Sequence, residues 1–195
     1  MYVLILHGVM GRAGIYWQQT LHDQLVRKGY PVIMPTLPDA DHPDRSEWLR
    51  TVQELVRNID PGQLVIVGHS LGVVAALDFL EKSASPVQAL ISVSGFSDNY
   101  GDEINDFYMK VKSVDFTRVR NHVRSCSVIY GGDDPYVPQP SLRKLAEDLQ
   151  VTPVVIPRGG HFDSESGTGL VSLLLDRIAG LNSESAETGP DKINL

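Results

Sequence analysis

The chain is poor in cysteine, and it lacks both an excess of positive charge and a long apolar run. Cys126 is the single cysteine among 195 residues, which excludes an internal disulfide and a cysteine-rich metal site. A formal net charge of -7 argues against a nucleic-acid-binding or anionic-membrane surface, since both require basic patches. No segment approaches the roughly 18 consecutive apolar residues that a membrane span requires.

The same scarcities predict where the protein works. The run from Met1 to Leu6 is apolar, but it lacks the basic start of a signal peptide and leads directly into a glycine loop. Cys126 precedes a strand-like run and is expected to be a buried structural thiol. We therefore expect a reducing, cytoplasmic location.

Length and composition predict one globular domain. A hydrophobic content of 42% and a charged content of 21% are ordinary for a chain that buries a full core. We expect a single domain over residues 1–181. Residues 182–195 are polar and show no hydrophobic period, so they are expected to form a disordered tail.

Short apolar runs alternate with helical patterns along the chain. The runs are Tyr2 to Leu6, Pro31 to Met34, Leu64 to Val67, Val87 to Val93, Ser127 to Tyr130 and Pro153 to Ile156. Continuous apolar runs are typical of strands that are covered on both faces of a parallel sheet. One intervening helix is expected to begin after Asp44, with Glu47 in capping-box position. The alternation predicts a doubly wound α/β sheet.

One pentapeptide, Gly68-His69-Ser70-Leu71-Gly72, has the pattern G-x-S-x-G. It follows the third apolar run and precedes a helix-compatible stretch, which is the context of a nucleophile elbow. In such an elbow the serine lies at a sharp turn from strand to helix, with its hydroxyl pointing outward. The two glycines are expected because larger side chains would collide at this turn.

An activated serine requires a histidine base and a carboxylate that orients the histidine. After an elbow serine, the acid and then the histidine are expected on loops that follow later strands. The loop after the fifth run carries Asp133 and Asp134, and at least one of them is expected to be a plain turn former. His161 follows two glycines after the sixth run. The order predicts a Ser70–His161 pair completed by one of the two aspartates.

A second glycine-rich stretch runs from His7 to Gly14, after the first strand. It fails the dinucleotide fingerprint G-x-G-x-x-G because Met10 occupies a required glycine position. The chain also lacks a P-loop lysine, so no cofactor is expected. In a serine hydrolase such a loop contributes to the oxyanion hole, and the predicted donors are the backbone N–H groups of Val9 and Leu71.

The remaining histidines are expected to be structural or solvated. His7 is predicted to shape the loop after the first strand, and His69 is predicted to pack beside the elbow. The other three are expected on the surface: His22, His42 and His122. No metal site is expected, because no second histidine stands at ligand spacing from His161.

Together these motifs resemble the small α/β-hydrolases of the retinoblastoma-binding-protein and YdeN-like serine hydrolase group. The matching segments span nearly the whole chain apart from its tail; they are the first strand and glycine loop with Trp17, Pro35 to Asp39, Trp48, the elbow, Asp133 to Pro138 and Gly160 to Phe162. The resemblance implies an α/β-hydrolase fold with a compact, doubly wound sheet of six parallel strands flanked by helices. It also implies Ser70 as nucleophile, Asp134 as acid and His161 as base.

The function predicted from these observations is that of a serine hydrolase of carboxylesterase type. It would cleave a small acyl ester through an acyl-enzyme, with a small-molecule substrate and without nucleic acid or membrane as partner. The alternative is a non-catalytic protein-interaction module on a hydrolase scaffold, since a fold does not imply a function. An intact set of Ser70, Asp134 and His161 argues against that alternative.

Residues 96–123 lie between the fourth and fifth strands, where hydrolases of this fold commonly insert a lid. Four apolar residues at helical spacing predict one stripe that covers the sheet; they are Ile104, Phe107, Tyr108 and Val111. In one interpretation the segment does no more than cover the sheet; in the other, the approach from Phe96 to Tyr100 also forms one wall of the acyl pocket. A segment this short predicts a shallow site and a preference for short acyl groups.

Overall fold

The computed structural model describes residues 1–101, 103–164 and 169–187. Its strands are β1 (Tyr2–Leu6), β2 (Val32–Ile33), β3 (Leu64–His69), β4 (Val87–Val93), β5 (Val123–Gly131) and β6 (Val154–Ile156). Its helices are α1 (Trp17–Arg27), α2 (Arg45–Val56), α3 (Leu71–Lys82), α4 (Glu103–Met109), α5 (Phe116–Asn121), α6 (Gln139–Leu149) and α7 (Leu170–Glu187). A short 3-10 helix, Pro61–Gln63, precedes β3.

The six strands form one parallel sheet in the order β2-β1-β3-β4-β5-β6. This confirms the predicted doubly wound α/β sheet. The chain moves from β1 outward to β2 and then returns to place β3 on the other side of β1. The carboxyl ends of β1 and β3 therefore border the crevice where open α/β sheets bind their ligands.

Two layers of apolar side chains cover the two faces of the sheet. In β1 and β3, Leu4 and Ile66 belong to the layer that includes α2 and α3. Their neighbours Val3 and Val65 belong to the layer that includes α1 and α7. All four are fully buried, which explains why these strands have continuously apolar sequences.

The start of one helix agrees with the sequence prediction, and the start of one strand differs from it. The predicted start of α2 is confirmed, because the Asp44 side chain accepts the Glu47 N–H at 2.7 Å. In contrast, β5 begins at Val123, before the apolar run, because pairing with β4 extends to the register Val87–Val123. Such pairing is a tertiary effect that the local polar sequence does not show.

Helix α7 continues to Glu187, beyond the expected end of the domain at residue 181. Once a helix is nucleated on an apolar stripe, each further residue adds a backbone hydrogen bond, so a polar extension can remain helical. Residues 188–195 of the predicted tail lie outside the described residues. No helix within the described ranges has both the length and the apolarity needed to cross a bilayer.

The helix predicted after β4 is present, but its predicted apolar stripe is wrong. Tyr108 is buried, whereas Phe107 and Val111 are 67% and 60% exposed, and Val111 lies beyond the end of α4. The side chain of Ile104 lies outside the described residues. Met109 is buried beside Tyr108, so the buried positions of this segment are adjacent instead of one helical turn apart.

A buried ion network, and not an apolar stripe, fixes the end of α4. Arg45 of α2 pairs with Asp78 of α3, with 2.6 Å between Nε and Oδ2. The same guanidinium donates to the carbonyl oxygens of Tyr108 and Lys112, at 3.4 and 2.7 Å. Buried charges need such partners, and these contacts therefore set which side chains of the segment turn inward.

Candidate active site

Ser70 lies at the turn between β3 and α3, in a left-handed backbone conformation with φ 52° and ψ -124°. Such a φ is strained for a residue with a side chain. The turn is held from β4, because the N–H of Ser70 donates to the carbonyl oxygen of Val93 at 3.0 Å. The sharp turn from strand to helix that the motif predicts is therefore present.

The two glycines of the motif lie where a side chain has no room. A Cβ at Gly72 would lie 2.4 Å from the carbonyl oxygen of His7 and 2.8 Å from that of Leu6. A Cβ at Gly68 would lie 2.9 Å from Cα of Val73. The start of α3 thus packs directly on the end of β1, which confirms the steric reason for both glycines.

His161 and Asp134 meet on the loops that follow β6 and β5. Nδ1 of His161 lies 2.8 Å from Oδ2 of Asp134, while Oδ1 accepts the N–H groups of Tyr136 and Val137 at 3.0 Å each. Burial alone would raise the pKa of Asp134, but the hydrogen bond and charge of His161, with the two N–H groups, outweigh it and lower that pKa. The carboxylate is therefore ionised at neutral pH.

Asp133 has a different partner from its neighbour. Its Oδ1 accepts the N–H of Gly160 at 2.8 Å, which ties the loop after β5 to the loop that carries His161. The residues on either side of His161, Gly160 and Phe162, both have a φ of 55°. A Cβ at Gly131 would lie 2.0 Å from the carbonyl oxygen of Gly160, so the two loops pack backbone against backbone.

Ser70 and His161 both line a cavity of about 450 Å³. The residues that carry the predicted oxyanion donors, Val9 and Leu71, line it as well. Most of its other walls are apolar or aromatic, from Met10, Ile15, Tyr16, Phe96, Tyr100, Pro135, Tyr136 and Val137. The rings of Phe96 and Tyr100 pack edge to face at 5.2 Å, and both residues line the cavity.

The hydroxyl of Ser70 and two backbone N–H groups beside it face the cavity and are candidates to bind a ligand. Within the described part of the chain, the Ser70 hydroxyl makes no hydrogen bond, to His161 or to any other residue. Hydrogen bonds between a nucleophile and its base are often loose before substrate binds. In the same described ranges, the N–H groups of Val9 and Leu71 donate to no backbone carbonyl. Both amides are available to a ligand beside Ser70.

His7 has the loop-shaping role predicted for it. It is fully buried, and its Nε2 accepts the N–H of Leu37 at 2.8 Å. Nδ1 lies 2.7 Å from the carbonyl oxygen of Gly8, so Nδ1 carries the proton. Burial lowers the pKa of His7 more than the hydrogen bond to Gly8 raises it, which keeps the ring neutral.

His69 is buried beside the elbow as predicted, and it also makes a hydrogen bond that the sequence did not reveal. Its Nε2 lies 2.8 Å from the carbonyl oxygen of His161; a carbonyl only accepts, so Nε2 carries the proton. The ring also contacts Trp17, with 5.9 Å between centroids. The two histidines are 92 positions apart, and no local pattern connects them.

The other candidate residues have less direct roles. His42 is exposed, while His22, beside Asp23, and His122, at the junction of α5 and β5, are both partly exposed. Burial raises the pKa of the Cys126 thiol to about 12, as expected for a structural cysteine. Among the described residues, no three His, Cys, Asp or Glu side chains are grouped to hold a metal ion.

Known proteins resemble this chain in sequence and in fold. Residues 3–177 match the family model described as "Serine hydrolase". YdeN of Bacillus subtilis, named as a hydrolase, is 26% identical over 178 residues, which cover 89% of this chain and 92% of that protein. Serine hydrolase RBBP9 of Rattus norvegicus is 28% identical over 138 residues, which cover 70% of this chain and 72% of that protein. The crystal structure of the Bacillus subtilis ydeN product has a TM-score of 0.82 at 25% identity, covering 91% of this chain and 98% of that one.

Gly72→Ala should destabilise the protein strongly, by about 3 kcal/mol or more, because the new Cβ would press on the backbone of β1. Gly180→Ala in α7 is the matched control. A Cβ there meets no atom within 4 Å, and alanine favours a helix by roughly 0.5–1 kcal/mol over glycine. Urea unfolding measures both variants, and equal stabilities would contradict the close packing of α3 on β1.

Acid should destabilise the fold through His69. Burial, and next the charge of His161, lower the pKa of His69 to about 3, whereas an unfolded histidine has a pKa of roughly 6.5. Between these two pKa values, His69 takes up a proton in the unfolded chain but not in the folded protein. The stability is therefore fully present above pH ~6.5 and is lost as the pH falls toward 3, by on the order of 4 kcal/mol.

Urea unfolding at pH values from about 7 to about 4 would measure this loss, with His69→Gln as control because glutamine cannot take up the proton. The other groups that face His69, which are His161, Asp134 and His7, are common to both proteins. We expect the free energy of unfolding to fall less steeply in the variant. If the free energy of unfolding fell equally steeply with pH in both proteins, His69 would not be the cause of the loss of stability in acid.

Proposed function

The chain belongs to the serine hydrolase family, and we propose that it is an enzyme of carboxylesterase type that cleaves a small acyl ester through an acyl-enzyme at Ser70. The observation that supports this most directly is the 2.8 Å contact between His161 and Asp134, in a cavity that also contains the elbow serine. Nucleophile, acid and base follow one another in the chain order that hydrolases of this type share.

In the proposed reaction, Oγ of Ser70 attacks the acyl carbon while Nε2 of His161 takes the hydroxyl proton. Asp134 holds the other ring nitrogen and stabilises the imidazolium that forms. The N–H groups of Val9 and Leu71 donate to the oxyanion, and the N-terminal end of α3 adds a partial positive charge there. His161 then returns the proton to the leaving alcohol, and water hydrolyses the acyl-enzyme by the same steps.

We propose that the substrate is an uncharged ester with a short acyl group. The cavity is small, and its walls are mostly apolar, which suits an uncharged acyl chain. Among the described lining residues, Asp163 carries a negative charge and no lysine or arginine is present. An anionic acyl group would find no cationic partner there.

The cellular location belongs to the same proposal. The lone cysteine is partly buried, and no second thiol is present in the sequence to form an internal disulfide. A chain of this kind suits a reducing compartment. We therefore propose that the enzyme is cytoplasmic.

Aryl esters of graded acyl length test the proposed activity, with Ser70→Ala as the inactive control. We expect hydrolysis to be fastest for acyl chains of about two to four carbons, and we expect a fluorophosphonate probe to label the protein only when Ser70 is present. Unchanged turnover in Ser70→Ala would refute the catalytic assignment. A lack of turnover with every acyl ester would favour a protein-interaction module, and a maximum at long chains would contradict the short acyl pocket.

The assignment of the acid is tested by two neighbouring substitutions of the same kind. Asp134→Asn removes the charge that faces Nδ1 of His161 and should lower kcat by about a thousandfold or more. Asp133→Asn should cost little, because an asparagine oxygen can still accept the N–H of Gly160. Steady-state kinetics of the two variants, with thermal unfolding as a folding check, give the comparison. The reverse order of kcat values would assign the acid to Asp133.

A further inference from the structure

We propose that His69 is a positioning residue, whose Nε2–H holds the backbone of His161 in place for the reaction. This inference rests on the proposed function, because it assumes that His161 is the base. The ring of His69 makes no hydrogen bond to Asp134 or to either residue that carries a predicted oxyanion donor. Its Nε2–H instead donates to the carbonyl oxygen of His161, at 2.8 Å.

The loop that carries His161 needs such support from outside. Gly160 and Phe162 are both left-handed, so His161 does not lie in a regular strand or helix whose ladder would fix it. The preceding N–H, of Gly160, is held by Asp133, and the carbonyl oxygen of His161 itself is held by His69. The backbone is thus fixed on both sides of the ring, and Asp134 fixes the ring.

The position of His69 in the chain makes this contact useful. It directly precedes Ser70, so the same few backbone atoms carry both the nucleophile and the donor that holds the base. The His69 ring lies against Trp17 of α1, with centroids 5.9 Å apart, and it is tilted against the His161 ring at 5.0 Å. Packed on both sides, the ring sets the distance between the elbow and the loop after β6.

Burial keeps His69 suited to this role. Its pKa is lowered to about 3, first by burial and next by the charge of His161, so at neutral pH the ring is uncharged. A neutral ring adds no charge that would oppose the imidazolium form of His161. With its one proton on Nε2, it is a donor toward the carbonyl and does not compete as a base.

A positioning role and a plain packing role predict different results for two substitutions. Glutamine places an amide N–H near the position of Nε2, whereas leucine fills similar space without a donor. If only packing matters, leucine should serve at least as well as glutamine. If the hydrogen bond matters, glutamine should restore what leucine loses, since a buried carbonyl without a donor is unfavourable.

The experiment compares wild type, His69→Gln and His69→Leu by ester kinetics and by proton NMR of the imidazole N–H of His161. That resonance is identified by its loss in His161→Gln. In His69→Leu we expect kcat to fall about tenfold or more with KM little changed, and the Nδ1–H signal to broaden. His69→Gln should keep kcat within about threefold of wild type and retain a sharp signal. Thermal unfolding checks that each variant is folded.

Two outcomes would overturn the inference. Either His69→Leu retains the kcat and NMR signal of wild type, or His69→Gln is no better than His69→Leu in both measurements. A failure of the proposed function gives a different pattern, because Ser70→Ala would then retain turnover or wild type would hydrolyse no ester. In that case the NMR comparison still decides whether His69 holds His161, since that measurement needs no substrate.

Discussion

The contact between the start of α3 and the end of β1 is the constraint on which the arrangement of the site depends. Gly72 lies so close to the carbonyl oxygens of Leu6 and His7 that a Cβ would fall within 2.8 Å of both. This contact lets the chain turn sharply at Ser70, whose left-handed conformation costs on the order of 1–3 kcal/mol. The turn brings the serine, the N–H of Leu71 and the ring of His69 to one edge of the sheet.

Three buried histidines surround this turn, and their environments give them different states. His7 accepts a backbone N–H from Leu37 and lies 2.7 Å from the Gly8 carbonyl oxygen, which fixes a neutral ring that shapes the glycine loop. His69 is neutral and turns its N–H toward a carbonyl oxygen. His161 alone faces a carboxylate, that of Asp134. Of the three, it is therefore the ring that a carboxylate orients, as the base of a serine triad requires.

The sequence predicted those features whose cause is local. The elbow, the cap at Asp44 and the order of the acid and histidine loops all follow from short motifs, and the sheet follows from alternating apolar runs. The α/β-hydrolase fold implied by the resemblance agrees with the likeness to YdeN. The inward side of α4 could not be predicted, because Arg45 and Asp78 come from other helices. The bond from His69 to His161 was missed for the same reason.

The pair Asp133 and Asp134 shows where motif and geometry each contribute. Two adjacent carboxylates in one loop are equivalent in sequence until their partners are known. Asp133 lies in the turn after β5, which the N–H of Asp134 closes on the carbonyl oxygen of Gly131 at 3.4 Å, whereas Pro135 biases Asp134 toward extended backbone. One carboxylate therefore reaches the ring of His161 while the other reaches the N–H of Gly160. Both contacts act on the same loop, so the second aspartate supports the position of the histidine that the first one orients.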